Sequence, residues 1–191
     1  MRIFLIRHGE AEVVGYDSVL TKRGETQAIA VAKFLREVKA NRLLTSNLTR
    51  AKQTCKEYQK LSGRSNMEIK EELNEIYRLI VGGPAKENAS KDREKNDLER
   101  IEKFYNYLIT LDTENVVIFT HGNVIRYILS KFLNMSSKDT WSRLVISPGS
   151  VSIIERINKG FQVKAINMYG HQSKEINEFL SGKIKSESYL S

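Results

Sequence analysis

One cysteine, Cys55, stands in 191 residues. That excludes an intrachain disulfide and a cluster of thiolate metal ligands. Histidine is nearly as scarce, with three in the chain, and no His, Cys, Asp or Glu group has the spacing of a zinc site. No metal or cofactor is implied. Long apolar runs are missing too: none approaches the roughly eighteen residues of a membrane-spanning helix. The chain begins on a strand pattern, without the charged and apolar regions of a secretory signal. These absences predict a cytoplasmic protein with no membrane partner. The formal charge is +8, yet Lys and Arg form no dense block and no aromatic–basic stacking pattern. The basic residues therefore predict a solvated surface and no nucleic-acid partner. A positive field would equally serve a pocket for a phosphorylated substrate. No internal repeat is present.

What is there is enough for a core, with 40% hydrophobic and 28% charged residues. The length predicts a single domain over 1–191, with a small cap or loop at 85–97. Arg2–Ile6 reads as a buried strand. Thr21 is a plausible N-cap for a helix whose Ala28, Val31, Leu35 and Val38 share one face. Leu43–Thr45 reads as a second strand, and Leu48–Leu61 as a helix ending near Gly63. Gly82-Gly83-Pro84 breaks the chain before a polar stretch. A helix follows from Leu98 to Leu111, with Ile101, Phe104, Tyr105 and Leu108 as its apolar face. Asn115–Thr120 is the clearest strand, followed by a helix over Asn123–Phe132. Val151–Arg156 and Phe161–Met168 read as strands joined by a turn at Asn158-Lys159-Gly160. The polar last twenty residues are expected to fray. Strands alternating with helices predict an α/β fold, a three-layer α/β/α sandwich around a mostly parallel sheet. Ligands of such sheets bind beyond the carboxyl ends of the strands.

Two strands end alike. The first runs into Arg7-His8-Gly9 and the third into His121-Gly122. Glycine lets the backbone turn sharply beside a ligand. If the two strands are neighbours, two imidazoles face one pocket. Arg50 follows the second strand, in the first turn of a helix, where free N–H groups favour an anion. Arg7 and Arg50 offer planar, bidentate donors that match phosphate oxygens. Each residue alone has a structural explanation. Their coincidence at strand ends points to a site for a dianion.

These residues carry a resemblance. FLIRHGE resembles the signature of the histidine phosphatase, or phosphoglycerate mutase-like, superfamily. LTKRGETQA resembles its Leu-Thr-x-x-Gly-x-x-Gln-Ala segment, at Leu20, Thr21, Gly24, Gln27 and Ala28. TSNLTRAKQT resembles Ser-x-Leu-x-Arg-Ala-x-x-Thr, LNEIYRLIVGG resembles the Leu-x-Glu segment, and THGNVIR resembles the second His-Gly segment. The order is kept over about residues 2–170. The resemblance implies a phosphoglycerate mutase-like fold and a phosphoric monoester hydrolase of the histidine acid phosphatase type. It implies His8 as the nucleophile that becomes a phosphohistidine. Arg7, Arg50 and His121 would hold phosphoryl oxygens, with Gly122 at the phosphate site. It selects Glu75 as the acid, although Glu71 and Glu72 offer the same chemistry.

The chain departs from the pattern at Val14, where members often carry an Asn near the phosphate. Val13-Val14-Gly15-Tyr16 could build an apolar wall there. His171 is read as structural. HGNVIRYIL and the later Pro148-Gly149-Ser150-Val151-Ser152 are similar to a mitochondrial protein-phosphatase branch of the family. A phosphorylated small molecule and a phosphoprotein thus both stand as substrates. The alternatives to a phosphatase are a phosphoglycerate mutase and a catalytically silent phosphate-binding module. The presence of the whole residue set disfavours silence, and the short chain disfavours a mutase. The oligomeric state is open, a homodimer included.

Overall fold

The computed structural model describes residues 1–84, 90–158 and 160–171. The first strand, β1 (Arg2–Arg7), is apolar from Ile3 to Ile6 because both faces are covered there. Ile3 and Leu5 point into one core cluster, while Phe4 and Ile6 point into another. β4 (Asn115–Thr120) divides the same way, with Val116 and Ile118 on one side and Val117 and Phe119 on the other. Two cores thus sandwich one sheet. α1 (Lys22–Leu35) and α2 (Thr49–Ser62) close one face, α3 (Lys91–Thr110) and α4 (Gly122–Phe132) the other. Fully burying such a strand side chain stabilises by about 1.5–3 kcal/mol.

The sheet order is β3-β2-β4-β1-β5-β6. β2 (Arg42–Ser46), β4 and β1 are mutually parallel neighbours, and β3 (Glu68–Lys70) joins parallel to β2. β5 (Val151–Ile157) runs against β1, and its hairpin partner β6 (Gly160–Met168) runs back. The sheet is therefore mixed, with β5 alone reversed. The first and third predicted strands, β1 and β4, are neighbours, with Arg7 opposite Thr120.

Most elements match the sequence within a residue or two. Thr21 caps α1 by accepting from the Gly24 amide at 3.0 Å, and Gly63 ends α2 with φ of 68°. Val38 lies past the end of α1 yet still packs on its core. The helix expected from Leu98 begins instead at Lys91, after a Ser90 cap. Its first two turns are polar, so apolar periodicity missed them; only Asp97 is buried there. Lys91–Asp97 is thus part of α3, which corrects the separate cap or loop. Positions 85–89 of that stretch, Lys159 of the hairpin turn and the terminal 172–191 lie outside the described residues. β3 and the four-residue α5 (Thr140–Arg143) carried no readable pattern. β3 has one apolar residue, Ile69, and forms because β2 offers it an edge.

The chain leaving β1 is seated on α1. A Cβ on Gly24 would lie 1.9 Å from the Glu10 carbonyl oxygen, and one on Gly9 would lie 2.3 Å from that of Gly24. The Gln27 Oε1 accepts the Glu10 amide at 2.7 Å. Thr21, Gly24 and Gln27 therefore form the seat that aims the strand end. Gly24→Ala should lose about 2–3 kcal/mol in urea unfolding, through overlap with backbone that cannot give way. Lys22→Ala, exposed on the same helix, should stay within about 0.5 kcal/mol.

Candidate active site

The parallel strands β1, β2 and β4 deliver their carboxyl ends to one edge of the sheet. His8 follows β1 and His121 follows β4, and their rings meet edge-on with centroids 5.0 Å apart. Both are buried, His121 completely. The turn at His8 is held by backbone: its amide donates to Thr120 O at 3.0 Å, and the Gly9 amide donates to Thr54 Oγ1 at 3.1 Å. Thr54 itself donates to Arg50 O at 2.8 Å, tying β1 to α2.

The His8 ring has a defined tautomer. Nδ1 lies 2.6 Å from the Gly9 carbonyl oxygen, which can only accept. Nδ1 therefore carries the proton and Nε2 keeps its lone pair. Arg50 Nε donates to that Nε2 at 3.1 Å. Burial, reinforced by the Arg7 and Arg50 charges, holds the His8 pKa well below the usual imidazole value. His8 is thus neutral at pH 7 with a free-base nitrogen inside a cationic pocket.

Three guanidinium groups stand in the site, and each is braced by a backbone carbonyl. Arg7 Nη1 donates to Ile146 O at 2.6 Å, Arg50 Nη1 to Tyr16 O at 2.8 Å, and Arg126 Nε to Leu144 O at 3.0 Å. Their exposures are 7%, 8% and 3%. Burial pushes the Arg7 pKa down to about 10, which leaves it charged at neutral pH. Gly122 opens α4 beneath them. A Cβ there would lie 3.3 Å from Arg126 Nη1 and 3.5 Å from Arg7 Nε, so glycine is what lets the cations close over the helix end.

Glu75 supplies the carboxylate. Its Oε1 accepts the Asn123 amide at 3.2 Å, in the first turn of α4. Burial raises its pKa against the pull of Arg7, Arg50 and Arg126. The loop that carries it is clamped from α3. Arg100 Nη1 donates to the Glu71 and Asn74 carbonyls at 2.8 and 2.9 Å, and Asp97 Oδ2 accepts the Tyr77 amide at 2.9 Å. Glu71 and Glu72 sit one turn earlier, in a short 3-10 helix, and only Glu75 bonds to α4.

All the residues singled out from the sequence converge here: Arg7, His8, Arg50, Glu75, His121 and Gly122. Three participants were not, and a fourth, Tyr16, was read only as part of an apolar wall. Arg126 was legible as a lone charge in the apolar run NVIRYIL, stacked here on Trp141 at 4.8 Å. Tyr16 donates its hydroxyl to Glu75 O at 3.1 Å. Ser46 bonds to His121 and Asn74 bonds to Ser46, and no sequence pattern distinguishes such residues from turn formers. The wall proposed at Val13–Tyr16 reduces to Tyr16, since Val13 and Val14 are 93% and 75% exposed. His171 bonds Gly149 O at 3.1 Å and stacks on Phe34. The Gly149 amide reaches the Arg7 and His8 carbonyls, so His171 backs the strand end from outside the site.

Known proteins share this arrangement of sequence. An alpha-ribazole/adenosylcobalamin phosphatase of Salmonella typhimurium is 29% identical over 87% of this chain and 96% of its own length. The 6-phosphofructo-2-kinase/fructose-2,6-bisphosphatase 1 of Rattus norvegicus is 29% identical over 72% of this chain, which spans 34% of that protein. Among solved structures, a putative alpha-ribazole-5'-P phosphatase from Escherichia coli superposes with a TM-score of 0.74 at 23% identity, covering 88% of this chain and 97% of the other. A phosphoserine phosphatase from Entamoeba histolytica, in complex with 3-phosphoglyceric acid, has a TM-score of 0.69 at 18% identity, covering 89% and 98%. The sequence model of the histidine phosphatase superfamily, branch 1, matches residues 3–99 and 95–168. That match runs from the strand before His8 to the end of β6, and the chain therefore belongs to the histidine phosphatase superfamily.

Proposed function

We propose that the chain is a metal-independent phosphomonoesterase that acts through a phosphohistidine on His8. The observation that carries this is the His8 tautomer: its proton is committed to Gly9 O, which leaves Nε2 as a buried free base beside the Arg7 and Arg50 cations. The Nε2 lone pair forms the N–P bond as the P–O ester bond breaks. Arg7 and Arg50, with His121, hold the phosphoryl oxygens and stabilise the charge spread over them. Arg50 releases His8 Nε2 as it turns to the phosphoryl group. Glu75, whose pKa burial raises, gives a proton to the departing oxygen from its acid form. Water then attacks phosphorus and loses a proton to the Glu75 carboxylate, the N–P bond breaks, and both groups return to their starting states.

A phosphorylated small molecule is the substrate class we favour. The Salmonella relative, matched over nearly its whole length, is named for one. The named relatives are phosphatases, and no observation favours the mutase. The single, buried Cys55 agrees with a reducing cytoplasm, and no described helix is long and apolar enough to cross a membrane.

With p-nitrophenyl phosphate and EDTA present throughout, the wild type should turn over. His8→Ala should lose about a thousandfold or more. A variant as active as the wild type would end this mechanism. Glu75→Gln should lose roughly a hundredfold or more on an alkyl phosphate, whose alkoxide needs a proton, and far less on p-nitrophenyl phosphate. Equal losses would take the acid role from Glu75. On the alkyl phosphate, the pH profile of kcat/KM should be bell-shaped. Rate falls on the acid side as His8 protonates, below the usual imidazole range, and on the alkaline side as Glu75 loses its proton, above the usual carboxylate range. An acid optimum is the expected result; a rate still rising above about pH 8 would contradict the assignment of both groups.

A further inference from the structure

His121 is oriented by a chain of hydrogen bonds whose polarity can be read without seeing a proton. The Asn47 amide donates to Asn74 Oδ1 at 2.9 Å, which identifies that atom as an acceptor. Ser46 Oγ lies 2.8 Å from the same Oδ1, so the serine hydroxyl must be the donor. Its single proton is then committed. Ser46 Oγ accepts the Leu48 amide at 3.1 Å and has one lone pair left. His121 Nε2 stands 2.8 Å from it, and that nitrogen must donate. The neutral His121 ring therefore carries its proton on Nε2. Its Nδ1 is a lone pair, buried and without a hydrogen-bond partner among the described residues.

This is the reverse of His8, whose proton is on Nδ1. A lone pair on Nδ1 cannot donate to a phosphoryl oxygen. It repels a dianion unless a proton lies between them.

We propose that Ser46 and Asn74 are positioning residues that lock His121 as its Nε2–H tautomer, so that phosphate binding is coupled to uptake of one proton between His121 Nδ1 and a phosphoryl oxygen. The proton comes from water or arrives on the monoanion; the complex holds one more proton than free enzyme and free dianion together. No bond other than N–H or O–H changes. The inference rests on the phosphate-site reading and adds to it the protonation state the site selects.

The surroundings make the coupling strong. Around His121 stand His8 and Arg7 from β1, Arg50 from α2 and Arg100 from α3. Arg126 lies on its own helix, where Glu75 also bonds. Burial, then the neighbouring His8 ring and the Arg50 and Arg7 charges, hold the His121 pKa well below the usual imidazole value. A bound dianion offsets those charges and favours the imidazolium.

The test is nitrogen-15 NMR of the histidines at about pH 7.5, assigned with His171→Gln and His8→Ala. The free protein should show His121 as Nε2–H, and inorganic phosphate should convert it to the doubly protonated ring. A free-state Nδ1–H tautomer overturns the lock whatever phosphate does. Phosphate that shifts His8 while His121 stays singly protonated overturns the coupling alone. Phosphate that shifts neither ring overturns the coupling together with the phosphate-site reading. Binding supplies the second measurement. The wild-type Kd for phosphate should rise about tenfold per pH unit from about pH 7.5 to about pH 9. Ser46→Ala frees Nε2 and lets the neutral ring donate from Nδ1, so its slope should be clearly shallower. An equal slope in a folded Ser46→Ala protein would remove the serine from the role.

Discussion

The organising constraint is the burial of cationic side chains at one sheet edge. Arg7, Arg50 and Arg126 lie almost out of water beside two imidazoles, with Glu75 as the carboxylate among them. Buried charge is costly unless it is hydrogen-bonded. The fold meets that cost mainly with backbone carbonyls, at Ile146, Tyr16 and Leu144, and each comes from a loop. The irregular segments around the site thus have a physical purpose. They supply oxygens that fix the guanidinium planes without neutralising them, and the remaining positive field is left for an anion.

The same constraint explains the glycines. Guanidinium groups over the start of α4 would sit in close contact with a Cβ at Gly122, and the crossing of Gly9 and Gly24 brings two backbones into contact. The segment around Thr21, Gly24 and Gln27 acts through the backbone of Glu10. It carries the strand end on which His8 stands. Asp17 extends this support by accepting from the Thr49 amide and hydroxyl, at 2.6 and 3.0 Å, pinning the loop that presents Tyr16 to the start of α2.

The two histidines illustrate how environment divides labour between identical side chains. Both are buried and neutral in the empty site. A carbonyl fixes one proton position and a serine hydroxyl the other, so the rings present opposite nitrogens to their surroundings. Neither partner is a charged group, so each neutral ring's proton position does not depend on the ionisation of its partner.

The sequence by itself determined the strands, because a buried parallel strand must be apolar on both faces, as FLI and NVVIF are. It also determined the list of reactive side chains, since His8, His121, Arg7 and Arg50 each follow such a strand at once or within one helical turn. It could not show the first two turns of α3, whose residues face water except Asp97, nor β3, which exists through its pairing with β2. Among chemically equivalent glutamates the family resemblance picked Glu75, and only the tertiary structure gave the physical reason: it alone of the three reaches the Asn123 amide, across 48 residues of chain. Arg126, Ser46 and Asn74 were settled in the same way. Their roles depend on hydrogen-bond partners far away in sequence, and a linear pattern records residue types and local spacing but not where a lone pair ends up pointing.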